Sequence, residues 1–286
     1  GVKGIREEAQ ARLDGLAEPR DVVYRKAFLE AVILTCDAMT LWAKRYAARA
    51  RELASSEADA RRKAELLEIA DVCEWVPENP ARTFREAIQA QWWGQVFNRI
   101  EQTSSAMGQG RMDQYLLPYY RKDLAEGRIT KESAIELFHC LWLSMSQVTE
   151  IKLNPVAAAG TEGFSQFSDV CVGGQTPDGR DATNELSYLI LESMRGLQIT
   201  SPDPCVRIHA GTPDAFLHHV VECIKDGKGY PKLLNDEMVI PFYLANGASM
   251  KEALDWNISG CCENRLPIGK PTSRPVAAST TARSPR

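Results

Sequence analysis

Ser259-Gly260-Cys261-Cys262-Glu263 sets a thiol and a carboxylate two positions apart on one short segment. Glycine permits a tight, exposed turn, the kind of place where reactive side chains are presented. A carboxylate beside a cysteine could act as general acid or base while the sulfur works as nucleophile or radical carrier. The same five residues would equally suit a plain loop with one buried cysteine. The four histidines offer less. His218 and His219 are neighbours on a helical stretch and point apart, His139 sits in an apolar helical pattern, and His209 lies in a strand pattern, so no metal-ligand spacing emerges. A Cys261–His209 dyad has no local signature to support it. Gly173-Gly174 and Gly227/Gly229 do not follow a phosphate-cradling pattern and read as turns.

The elements that must position these residues change character along the chain. Residues 22–50 mix apolar and basic positions without proline or glycine and suit one long helix; 57–74 suit another, ended by Pro77 and Pro80. Thr83 can cap a helix whose Phe84, Ile88, Trp92, Val96 and Ile100 recur every four residues as an apolar stripe, with Trp92-Trp93 read as core. Ile135, Phe138, Trp142 and Met145 mark a further helix over 131–147, capped by Thr130. From about residue 168 the period shortens: 168–174 and 204–210 read as strands, with helices over 183–195, from Thr212-Pro213 to Gly227, and over 250–258 behind a Ser249/Glu252 capping box. Strands alternating with helices behind a helical N-terminal layer give an α/β arrangement.

Composition narrows the function classes. The 286 residues carry 34 basic and 38 acidic side chains, a net charge of -4, which offers nucleic acid no basic face. No run reaches the roughly 18 apolar residues of a membrane helix, and no signal-peptide core opens the sequence. Eight scattered cysteines without a C-x-x-C pair read as buried free thiols in a reducing, cytoplasmic setting. The stretch 266–286 holds four prolines and no acidic residue and reads as a disordered tail behind a domain spanning 1–265.

Several segments together resemble the glycyl radical enzymes, the family of pyruvate formate-lyase: TFREAIQAQWW (83–93), GQGRMDQYLLPYY (108–120), NELSYLILES (184–193), SPDPCVRIHAGTPDAF (201–216) and GKGYPKLLNDEMVIPFYLANGASMKEALDWNISGCCE (227–263). Order and spacing match over roughly residues 80–265. The resemblance implies part of a ten-stranded α/β barrel: a helical layer, a first half-barrel, and a finger loop presenting the cysteine. It implies a glycyl radical, carried by a residue outside this sequence and installed by a radical S-adenosylmethionine activase, with no metal bound by the chain itself. Matched residue by residue, Cys261 becomes the thiyl carrier and Glu263 the acid/base, while Ser105 lies in a loop that borders substrate in related enzymes. Arg111 and Asp113 are expected to form a structural salt link near the barrel mouth.

The implied function is that of a lyase breaking a C–C, C–S or C–O bond in a small organic substrate, working as a homodimer at full length. RIEQ…GRMDQ and Asn264-Arg265 look closest to the isethionate sulfite-lyase and arylacetate decarboxylase branches. Pyruvate formate-lyase uses two adjacent cysteines for acyl transfer, so Cys261-Cys262 keeps that chemistry as an alternative. Because Glu263 follows the pair here, Cys262 is expected to fill a packing position. Nothing in the sequence matches the segment that carries the radical glycine, so the chain is expected to be a fragment, inactive alone; a non-catalytic truncated product is the remaining alternative.

Overall fold

The computed structural model describes residues 1–101, 106–148, 167–199, 201–260 and 263–266. The chain divides into two compact units, Gly1–Glu101 and Gln102–Arg286.

The first unit is helical: α1 (Val2–Asp14), α2 (Pro19–Ser56), α3 (Ala60–Trp75) and α4 (Phe84–Glu101). Pro19 stands in the first turn of α2, where its missing N–H has no helical partner to lose. Ala43, Ala47, Ala50 and Ala54 recur on one buried stripe of α2. Their small side chains leave room for Val72, Cys73 and Trp93 in a shared core. Asp59 caps α3 by accepting the Arg62 N–H at 2.7 Å, and Thr83 Oγ1 accepts the Glu86 N–H at 3.2 Å.

The expected four-residue stripe of α4 is only partly buried. Phe84 and Ile88 are buried, but Ile100 is 59% exposed and Trp93, rather than Trp92, fills the core. A strict four-residue repeat advances about 40° per step on a helix of 3.6 residues per turn, so by its fifth member it has left the buried face.

The second unit carries both sheets. Its described elements are β1 (Ala106–Arg111), α5 (Met112–Tyr115), α6 (Leu117–Ala125), α7 (Lys131–Ser146), β2 (Phe167–Gly173), α8 (Glu185–Arg195), β3 (Asp203–Ile208) and α9 (Asp214–Lys225). They continue as β4 (Lys232–Asn235), α10 (Asp236–Ala245), α11 (Met250–Leu254), β5 (Asn257–Ser259) and β6 (Glu263–Arg265). Strands β1 to β4 form one parallel sheet in sequence order. Cys171 sits opposite Cys205, and Val206 opposite Leu233. Val170, Val172 and Val206 on one face and Cys171 and Cys205 on the other are all fully buried, the two-sided burial expected of a parallel sheet.

The helices between the strands pack on one another. Trp142 of α7 donates its indole N–H to Ser193 Oγ of α8 at 2.8 Å, and Tyr188 of α8 meets Phe216 of α9 edge-on at 5.0 Å. The 3-4-3 spacing of Ile135, Phe138, Trp142 and Met145 holds the helical face, and Phe138, Trp142 and Met145 are buried. Thr130 forms the expected cap, and Ser133 completes it as a capping box.

Several boundaries differ from expectation: α2 runs Pro19–Ser56 rather than 22–50, and β3 ends at Ile208 rather than 210. Helix α9 begins at Asp214 with Pro213 as its N-cap, and the Thr212 hydroxyl instead accepts the His209 N–H at 2.9 Å. Helix α11 has the Ser249/Glu252 capping box but stops at Leu254, because Asn257–Ser259 turns into a strand paired antiparallel with β6.

Candidate active site

The β5–β6 hairpin is a separate two-stranded sheet that shares no ladder with the parallel one. Ser259 pairs with Glu263, so Gly260, Cys261 and Cys262 form the connection between them. Gly260 has φ of 77°, a conformation that side chains resist. Cys261, Cys262 and Ser105 lie outside the described residues. Glu263 is described: it opens the returning strand, half-buried, directly beyond that turn.

The hairpin lies against the inner face of the sheet. Ile258 is fully buried and clusters with Cys171 and Cys205, with Leu234 packed alongside. Gly108 of β1 faces the Ile258 carbonyl so closely that a Cβ there would stand 2.1 Å from its oxygen. Gly108→Ala is therefore expected to push β5 off the sheet at a cost of about 1–3 kcal/mol. A thermal melt checks this, since each kcal/mol lowers Tm by roughly 2–4 °C in a unit of this size; an unchanged melt would show that the hairpin is not docked here.

Two arginines hold the segment that leads into the hairpin. Arg207 of β3 makes a bidentate pair with Asp236 at 2.7 and 2.8 Å, both side chains being wholly buried. Its remaining donors reach the Trp256 carbonyl at 2.7 Å and the Leu254 carbonyl at 2.9 Å. Asp236 also accepts the Trp256 indole N–H at 2.9 Å and the Gln175 amide at 3.2 Å. Arg111, at the end of β1, bonds Asp255 Oδ1 at 3.1 Å and the carbonyls of Gly173 and Gln175 at 3.1 and 2.9 Å.

The expected Arg111–Asp113 salt link is thus replaced by two other sets of bonds. Asp113 accepts the Gly173 N–H at 2.7 Å and the Ser187 hydroxyl at 2.6 Å. Burial pushes its carboxyl up, partly offset by those two donors. The two side chains follow one another across the β1–α5 boundary, where alternation no longer holds, and each finds its own partner.

At the other end of the hairpin, Lys232 of β4 donates to Asp169 Oδ1 at 2.7 Å and to the Gly260 carbonyl at 3.3 Å, with Asp203 Oδ2 at 3.4 Å. Burial works against the Lys232 ammonium, but the Cys205, Asp169 and Asp203 groups around it more than offset this and raise its pKa. Burial pushes the Asp169 carboxyl up, and Lys232 pulls it back. Burial also drives the Cys171 thiol up to about 12 and the Cys205 thiol higher, so neither is a nucleophile at neutral pH. No local pattern marks Lys232 or Asp169, which are separated by 63 positions.

His209 is far from this end. Lys232 pairs with Cys205 in register, and His209 lies four positions beyond Cys205, just past the end of β3, about 13 Å along the chain. The His209 ring bonds Asp181 at 3.1 Å. Cys36, Cys73, Cys171, Cys205 and Cys223 are buried free thiols, whereas Cys140 is an exposed one. Among the described residues no three His, Cys, Asp or Glu side chains converge as metal ligands, and no helix is long and apolar enough to cross a membrane.

A four-stranded parallel sheet with helices between its strands, and an antiparallel hairpin packed on its Cys171 and Cys205 face, defines a partial α/β barrel. The family model described as pyruvate formate lyase-like matches residues 1–278, and the chain belongs to that family. It is 52% identical over 270 residues to the isethionate sulfite-lyase of Nitratidesulfovibrio vulgaris, covering 93% of this chain and 33% of that one. A solved structure for 1,2-propanediol dehydration in Roseburia inulinivorans matches with a TM-score of 0.89 at 39% identity, over 93% of this chain and 32% of the other. A glycyl radical enzyme from Archaeoglobus fulgidus matches with a TM-score of 0.86 at 33% identity, over 94% and 34%. The chain thus spans about a third of the length of these relatives.

Proposed function

We propose that this chain is the cysteine-bearing part of a glycyl radical lyase that cleaves a bond in a small organic substrate. The observation that supports the reading is the hairpin register: Glu263 pairs with Ser259, two positions along the sequence from Cys261. The 52% identity to an isethionate sulfite-lyase favours a C–S bond in a small sulfonate over C–O or C–C cleavage.

The family's glycyl radical supplies one-electron chemistry, the removal of a hydrogen atom from a thiol. The residues present fit such a group, because Ile258, Cys171 and Cys205 make a dry inner face where a radical is shielded from water. In this reading the Cys261 sulfur takes a hydrogen atom from a substrate carbon, forming S–H and leaving a carbon radical. Glu263 then moves the proton that the departing group requires. Ser105 belongs to a substrate-bordering loop, Cys262 packs, and 266–286 is a tail outside the catalytic domain of 1–265. The radical is installed by a radical S-adenosylmethionine activase, in a cytoplasmic homodimer at full length.

The test is anaerobic activation of the full-length enzyme. A glycine-centred electron spin resonance doublet and sulfite release from a small sulfonate are expected; absence of the doublet refutes the reading. Glu263→Gln keeps the shape but not the proton, so turnover should fall about 10²–10⁴-fold with the doublet intact. Unchanged turnover would remove Glu263 from the mechanism.

A further inference from the structure

We propose that Lys232 is a positioning residue for the reacting cysteine, fixing the Gly260 carbonyl and with it the peptide unit that joins Gly260 to Cys261. The inference rests on the lyase reading, which makes Cys261 the reacting residue.

An ammonium has three hydrogens and no acceptor. Three oxygens surround this one: Asp169 Oδ1 at 2.7 Å, Gly260 O at 3.3 Å and Asp203 Oδ2 at 3.4 Å. Two of these contacts are hydrogen bonds and the third is an ion pair, so both the charge and the donors of Lys232 are engaged by the protein's own groups. The side chain is mostly buried and Asp169 is wholly so. Lys232 therefore holds structure instead of binding ligand. The three acceptors come from β2, β3 and the hairpin turn, so a single cation ties two sheet strands and its own to the loop.

The hairpin needs such a tie. It shares no ladder with the parallel sheet, and its arginine contacts are confined to residues 254–256. Packing fixes it as far as Ile258, and Gly260 lies two residues further on, about 7 Å along the strand, so the tip needs a fixed point of its own. Misplacement of a reacting atom by about 1 Å costs on the order of 100-fold in rate. Lys232 supplies a fixed point at the tip.

The experiment compares Lys232→Met, Lys232→Arg and wild type in the full-length enzyme. Lys232→Met is expected to lower kcat about 100-fold with KM within about 2-fold and the radical doublet undiminished. Hydrogen exchange of a peptide spanning 257–266 should quicken about 10-fold while peptides in β3 and α8 keep their protection. Lys232→Arg should recover most of both changes. Wild-type kcat in Lys232→Met, or exchange rising across β2 and β3 as well, would overturn the proposal, the latter showing a merely structural lysine. If Lys232→Met does not fold, Asp169→Asn is read by the same exchange measurement, and an unmoved hairpin peptide overturns the proposal. The exchange arm needs no radical, so a wild-type enzyme without the doublet refutes the lyase reading while Lys232 is still tested.

Discussion

Asp236→Ala is expected to destabilise the second unit by about 3–5 kcal/mol, the range for removing one partner of a buried ion pair. The size follows from what is left behind. Arg207 is wholly buried, and alanine would strip both ends of its bidentate pair at once. The Trp256 indole N–H and the Gln175 amide lose their acceptor in the same step. The loss is mostly the cost of an orphaned charge in a dry interior, not the net worth of the pair. A double replacement, Arg207→Met with Asp236→Leu, should therefore recover much of the stability, although the carbonyls of Leu254 and Trp256 would go unanswered. Urea titration of the three proteins measures both effects. A loss under about 1 kcal/mol for the single variant would mean that water reaches Arg207.

Cys261→Ser is expected to abolish turnover, by about 10⁴-fold or more, while the glycine-centred doublet of the activated enzyme persists. A hydroxyl is close in size to a thiol, but its O–H bond is too strong to surrender a hydrogen atom to a carbon radical. The change separates making the radical from using it. Cys262→Ser provides the contrast: in the lyase reading it keeps most of the activity, whereas an acyl-transfer mechanism needs both sulfurs. Electron spin resonance and product formation on the same samples decide the matter. Substantial turnover in Cys261→Ser would move the chemistry to another residue.

Much of the framework was legible because its signals are local. The Thr130 and Ser249 caps, the helices α2, α3 and α7, and strands β2 and β3 all follow from residues within one or two turns of each other. Strand β1 was not legible, since Ala-Met-Gly-Gln-Gly-Arg has two glycines and no β-branched residue; it is a strand because Gly108 lets Ile258 approach and β2 supplies the ladder. Helix α10 was hidden by Pro241 inside it. The cysteine-glutamate turn could be marked as a candidate from residue types alone. Its supports could not: Arg207–Asp236, Arg111–Asp255 and Lys232–Asp169 join positions 29, 144 and 63 apart, and only folding brings them together.

That the hairpin packs on the parallel sheet without joining its ladder has an evolutionary consequence. An added or exchanged residue in a laddered strand shifts every pair beyond it and turns side chains to the wrong face. Here the turn hangs from side-chain clamps, and no register in β1 to β4 depends on what it contains. Residues in the connection between β5 and β6 can therefore be exchanged without shifting a single pair in the parallel sheet.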